Sequence, residues 1–225
     1  MKLGVLLPTF RNGAIDAFDA AALAVDTGLN GVFAYDHLWP MGSPQRPSLA
    51  PFPLLAAIAE RHEDLIVGPL VARIGLVATS HLLGQFATLE SLAPGRVIAA
   101  LGTGDKLSAA ENEAYDIDVL APERRRDLLL ETATALTASM PVWIGAGSAP
   151  TNDIARVLGV ALNVWDATPE RVRELATGGE VTWAGPGSSD VRGQLSALRD
   201  AGATWVVFAP QVSIAEMKLW REHDE

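Results

Sequence analysis

The chain has 225 residues, no cysteine, and 17 Lys and Arg against 27 Asp and Glu, a formal net charge of −10. So acidic a chain is a poor partner for nucleic acid or an anionic membrane surface, since both are bound through clustered Lys and Arg. Without cysteine there are no disulfides, thiolate metal sites or thiol nucleophiles, which fits a reducing, cytoplasmic setting.

Hydrophobic residues make up 49% of the chain, enough to fill the core of one domain over residues 1–225. No apolar run reaches the roughly 18 residues that a membrane-spanning helix needs. The opening run, Leu3-Gly4-Val5-Leu6-Leu7-Pro8, is too short for a secretory signal and reads as a first strand. Residues 15–26 carry apolar side chains at helical spacing and stop at Gly28. A strand over 31–35 is followed by the Pro- and Ser-rich stretch 42–53, a loop over one end of the fold. A helix over 51–61 opens on proline. Strand 65–71, helix 81–92 and strand 96–101 follow, the helix closed by Ala93-Pro94-Gly95. Then come helix 123–138, strand 142–144, helix 151–158, strand 161–165 and helix 169–176. Strand 181–184, helix 189–201, strand 204–208 and a last helix over 214–223 complete the chain.

Eight strands alternate with helices, and the strands are apolar on both faces, as in parallel sheets covered by helices. Eightfold repetition of this unit predicts a (β/α)8 TIM-type barrel rather than an open doubly wound sheet. In such barrels the active site lies at the C-terminal ends of the strands. Polar and glycine residues collect there: Asp36-His37 after the second strand, Gly102-Thr103-Gly104-Asp105 after the fourth, and Gly145-Ala146-Gly147 after the fifth. A histidine beside a carboxylate can exchange protons near neutral pH. The two glycine turns bring backbone N–H groups close to an anion, and the second leads into a helix N-terminus that favours phosphate.

No dinucleotide fingerprint, P-loop or serine-nucleophile elbow is present. The four histidines lack metal-ligand spacing, so no metal is expected. His62 reads as a helix-end residue, His81 opens a helix and reads equally as a helix-end residue or a ligand, and His223 lies near the chain terminus. Four tryptophans, Trp143, Trp165, Trp183 and Trp205, fall in strands and read as core, whereas Trp39 in a loop reads as a ligand contact. Glu123-Arg124-Arg125-Arg126-Asp127 reads as a solvated helix start.

Several segments resemble, in order, the luciferase-like flavin- or deazaflavin-dependent oxidoreductases. They are Leu3-Gly4-Val5-Leu6-Leu7-Pro8-Thr9-Phe10, Gly31-Val32-Phe33-Ala34-Tyr35-Asp36-His37-Leu38, and the helix-to-strand segment from Phe86 to Val97. Leu101-Gly102-Thr103-Gly104-Asp105, with Glu111-Asn112-Glu113-Ala114-Tyr115, resembles members that use coenzyme F420. Pro141-Val142-Trp143-Ile144-Gly145-Ala146-Gly147 and Leu158-Gly159-Val160-Ala161-Leu162-Asn163 resemble strands five and six.

The resemblance implies a (β/α)8 barrel and an F420-dependent oxidoreductase moving a hydride to or from a small organic substrate. It places Asp36 and His37 beside the cofactor ring, with His37 exchanging the proton, Asp36 orienting it, and Asp105 as a second acid or base. Gly68, Pro69 and Leu70 would form a strand bulge behind the ring, with a non-prolyl cis peptide at Pro69–Leu70. Thr103, Gly104, Gly145, Ala146 and Gly147 would hold the cofactor's tail and phosphate, and Trp39 would face the substrate. Two alternatives are an FMN-dependent monooxygenase and a non-catalytic F420- or flavin-binding protein. A homodimer is implied by the family. The chain departs from the family in lacking most of the insertion around strand seven. Met41 stands where relatives acting on sugar phosphates carry an aromatic residue.

Overall fold

The computed structural model describes residues 1–40, 43–44, 46–104 and 108–224. Nine parallel strand segments form one sheet: β1 (Lys2–Leu6), β2 (Gly31–Ala34), β3 (Ile66–Pro69), β4 (Ala72–Arg73), β5 (Ala99–Gly102), β6 (Val142–Gly145), β7 (Ala161–Trp165), β8 (Val181–Gly185) and β9 (Ala203–Phe208). Their order is β3-β2-β1-β9-β8-β7-β6-β5-β4. The two end segments, β3 and β4, are consecutive in the chain and separated only by Leu70 and Val71. A bridge between Val67 and Val97 ties β3 to the stretch entering β5. The ring therefore closes through a third strand broken in two, and the architecture is the expected (β/α)8 barrel.

The expected strand over 65–71 is corrected accordingly. It splits at Leu70–Val71, which is also where the cis peptide lies, one residue later than Pro69–Leu70. Gly68 explains why β3 can approach residues 96–98 so closely: a Cβ there would sit 2.3 Å from the Ile98 carbonyl oxygen.

Outside the barrel run α1 (Ile15–Asp26), α2 (Pro51–Arg61), α3 (Thr79–Leu92), α4 (Ala109–Ala114), α5 (Pro122–Leu136), α6 (Ala149–Leu158), α7 (Pro169–Ala176), α8 (Val191–Asp200) and α9 (Ile214–Asp224). Their ends follow local chemistry. Thr168 accepts the Arg171 N–H at the start of α7, and Asp190 accepts the Gly193 N–H at the start of α8, each satisfying a donor the helix leaves unpaired. Proline occupies the first turn of α2, α5, α6 and α7, where its missing N–H costs nothing. The short α4, which the sequence pattern did not predict as a helix, is the one that matters for the site.

Two layers of apolar packing result. One lies between helices and sheet. The other fills the barrel interior and includes Phe33, Ile98, Trp143, Trp205 and Val207. Phe33, Trp143 and Trp205 meet pairwise at ring separations of 5.3–5.8 Å, and so plug the barrel's lower half. Above this plug, toward the C-terminal ends of the strands, glycines replace bulky residues and the interior opens into a cavity.

Candidate functional site

The cavity has a volume of about 380 Å3. Its wall includes Leu70 and Val71 from the break in the third strand, Gly102 to Gly104, Gly145 to Gly147, Asn163, and the rings of Tyr35, His37 and Trp165. The strand break makes the floor possible. Val71 points between β5 and β6 at positions that have no side chain. A Cβ on Gly102 would lie 2.4 Å from Val71 Cγ2, and one on Gly145 would lie 3.4 Å from Val71 Cγ1. Valine is stiff about χ1 and cannot swing aside cheaply. Gly102→Ala is therefore expected to destabilise the fold by about 1–3 kcal/mol, the usual range for overpacking. A lowered urea midpoint with unchanged slope would show it, and an unchanged midpoint would refute the contact.

His37 stands at the cavity wall with its side chain 21% exposed, over a buried ionic cluster. Its Nδ1 is 2.7 Å from Glu111 Oε1. A carboxylate only accepts, so Nδ1 carries the proton and Nε2 is the ring nitrogen left for a ligand. Glu111, on α4, is completely buried. Its Oε2 accepts the Leu38 N–H at 2.9 Å and lies 3.0 Å from Arg73 Nη2. That last contact is an ion pair without aligned hydrogen-bond geometry, which leaves Nη2 short of a directed acceptor. Arg73, on β4, also donates Nε to the Asp36 carbonyl at 2.9 Å and Nη1 to Asn112 Oδ1 at 3.3 Å. Asp36 completes the cluster by accepting the Arg73 backbone N–H at 2.9 Å.

Burial pushes the Asp36 carboxyl above its ordinary range. The Arg73 N–H, the Arg73 charge and His37 pull it down, and Glu111 adds to the rise. Folded Asp36 thus holds its proton more tightly than unfolded Asp36. As pH rises from the ordinary carboxylate range through the raised value, stability is lost. Asp36→Asn keeps an acceptor for the Arg73 N–H and removes the charge. The variant's stability relative to the parent is expected to grow across that acid-to-neutral window and then level off. Urea midpoints measured against pH check this, and a pH-independent gap would contradict it.

The structure places the expected site residues unevenly. His37, Leu70, Thr103, Gly104, Gly145, Ala146 and Gly147 share the cavity wall. Asp36 sits behind it and holds Arg73 rather than His37; Glu111 takes the orienting position. Gly68 and Pro69 are paired into the sheet in β3 and are not on the cavity wall. Asp105 lies outside the described residues. Trp39 is 7% exposed, packed against the Tyr115 ring at 5.7 Å, and is not on the cavity wall.

Trp165 is the reverse case. It belongs to a strand but is 53% exposed and lines the cavity. The glycine turn also differs from an open anion cradle. The Ala146 N–H donates to the Asn163 carbonyl at 2.7 Å and the Gly147 N–H to Asn152 Oδ1 at 2.9 Å. Arg125 is not simply solvated: its Nη1 donates to the carbonyls of Thr103 and Gly104 at 2.7 and 3.1 Å and braces that turn.

Comparison with known proteins adds the following. The family of luciferase-like monooxygenases matches residues 1–140. An F420-dependent glucose-6-phosphate dehydrogenase of Nakamurella multipartita is 33% identical over 109 residues, 48% of this chain and 32% of that protein. An F420-dependent hydroxymycolic acid dehydrogenase of Mycobacterium tuberculosis is 27% identical over 199 residues, 88% of this chain and 50% of that protein. The chain thus spans between a third and a half of the length of these curated relatives. Among solved structures, an F420-dependent secondary alcohol dehydrogenase in complex with an F420-acetone adduct superposes with a TM-score of 0.78. It is 13% identical and covers 97% of each chain, a likeness of fold.

Proposed function

The chain belongs to the luciferase-like monooxygenase family, and on that premise we propose that it is an oxidoreductase that binds coenzyme F420 and exchanges a hydride with a small organic substrate. The observation that carries this reading is the glycine-lined cavity with His37 on its wall, the ring's Nδ1 held by a buried carboxylate and its Nε2 outside that bond. The donor set and shape fit the cofactor. Val71 fills the places left bare at Gly102 and Gly145, and with Leu70 it gives the cavity an apolar surface on which a flat ring would lie. Two relatives of this chain bear F420 in their names.

When bound, the cofactor supplies the hydride chemistry. The chain's own residues bind, orient and manage protons. Leu70 and Val71 back the ring. Thr103, Gly104 and the 145–147 turn would line the tail. His37 takes or gives the proton at the substrate oxygen through Nε2. Glu111 keeps His37 in that tautomer, and Asp36 positions Glu111 through Arg73. Asp105 is the second proton-exchanging residue. FMN with an oxygenase outcome is the second reading, favoured by the family's own description. A cytoplasmic location and a homodimeric state belong to the same proposal, the first supported by the absence of cysteine and the second by the family resemblance alone.

Separate titrations of the purified chain with F420 and with FMN, followed by visible absorbance and fluorescence, test the assignment. F420 is expected to bind at micromolar Kd or below, and at about 100 Kd to add about 2.7 kcal/mol of stability. Binding of FMN alone would transfer the assignment to the monooxygenase reading. Binding of neither would remove it.

A further inference from the structure

The mouth of the cavity is unlike its floor. It is built from aromatic rings in mutual contact. Phe10 stacks on Tyr35 at 5.4 Å with an interplanar angle of 8°. Tyr35 meets His37 at 6.3 Å and Trp165 at 6.2 Å. Trp143, Trp183 and Trp205 are buried, whereas the indole of Trp165 stands at the rim with much of its surface bare.

The backbone holds it there. Asp166 adopts φ 50, a conformation uncommon for a residue other than glycine, and its N–H donates to the Ala184 carbonyl at 2.7 Å. Strand β7 ends at this step, so Trp165, in register with Ala161 and Asn163, faces the barrel axis. Tyr35 is a neutral neighbour, since burial pushes its hydroxyl up to about 12.

The cations near this mouth are already engaged. Arg73 is 6% exposed; its Nε and Nη1 donate to Asp36 and Asn112, and its Nη2 is ion-paired with Glu111 at 3.0 Å. Arg125, beyond the 103–104 turn, directs Nη1 to two carbonyls. An exposed guanidinium fork or ammonium is the usual side-chain partner of a phosphate, and none of the described residues on the cavity wall offers one.

We propose that the substrate is an uncharged molecule with a flat apolar body, an aryl or cyclic alcohol or the matching ketone, seated against the bare face of Trp165 beside Tyr35. Trp165 is then the specificity-determining residue. The inference rests on the cofactor reading and deepens it.

The test begins with the F420 titration. Failure of F420 to bind overturns the cofactor reading, and this inference with it. With F420 bound, 1-phenylethanol and glucose 6-phosphate are compared by quenching of tryptophan fluorescence and by cofactor bleaching. The alcohol is expected to bind at least about tenfold more tightly than the sugar phosphate. Trp165→Ala should weaken the alcohol by about tenfold, and Trp165→Phe, which keeps a ring, by no more than about threefold. With F420 bound, a sugar phosphate that binds as tightly as the alcohol overturns the substrate class and leaves the cofactor assignment standing. A folded Trp165→Ala protein that binds the alcohol like the parent does the same. If Trp165→Ala does not fold, the comparison of the two probes on the parent decides alone.

Discussion

Glu111→Ala is expected to cost about 3–5 kcal/mol of stability, the range for removing one partner of a buried ion pair. The carboxylate is fully buried and serves three groups at once: His37 Nδ1, the Leu38 N–H and the Arg73 guanidinium. Truncation strands a cation that is itself 6% exposed and leaves a backbone donor without an acceptor. Urea unfolding reads the effect as a large fall in midpoint. Glu111→Gln fills the same space and keeps one acceptor oxygen, so it should lose less than the alanine variant. A loss below about 1 kcal/mol in Glu111→Ala, the level of an exposed pair, would mean that the cluster is solvated and not buried.

His37→Ala is expected to lower turnover by about 10²–10⁴, the usual contribution of a positioned general acid or base, with F420 affinity changed by no more than about threefold. The two numbers separate the roles. His37 presents one nitrogen to the ligand and ties the other to Glu111, so it manages a proton and does not carry the cofactor. Near-normal turnover with cofactor bound would exclude the proton role. Glu111→Gln is expected to depress turnover by a smaller factor than His37→Ala and to add little to it in the double variant, because both act through one imidazole.

The barrel was legible because its signal is local. Strands such as Val142–Gly145 and Ala203–Phe208 are apolar on both faces, and most of the helices are punctuated by their own proline, glycine or cap. The break in the third strand was partly legible. The Gly68-Pro69-Leu70 segment pointed to it through the resemblance, but the turning peptide falls one bond later, where Val71 finds the empty places at Gly102 and Gly145.

What escaped depends on partners far along the chain. Glu111 looks like one more acid in a polar segment, and nothing within residues 109–114 shows that Arg73 and His37 will bury it. Arg125 sits in a charged run that reads as solvated until the Thr103 and Gly104 carbonyls come within reach. Trp165 was readable in principle. Alternation along β7 puts Ala161, Asn163 and Trp165 on one face, and the last of these falls at the open end of the barrel. Trp39 misled because a tryptophan in a loop suggests a ligand, whereas here it is packed beneath Tyr115.

The most direct test of the central assignment is a parallel F420 titration of the parent and of Gly102→Ala, each checked for folding by circular dichroism. The parent should bind F420 at micromolar Kd or below, and the variant about tenfold or more weakly, because the displaced Val71 intrudes on the surface that backs the ring. Equal affinities in the two folded proteins would contradict the placement of the cofactor in this cavity.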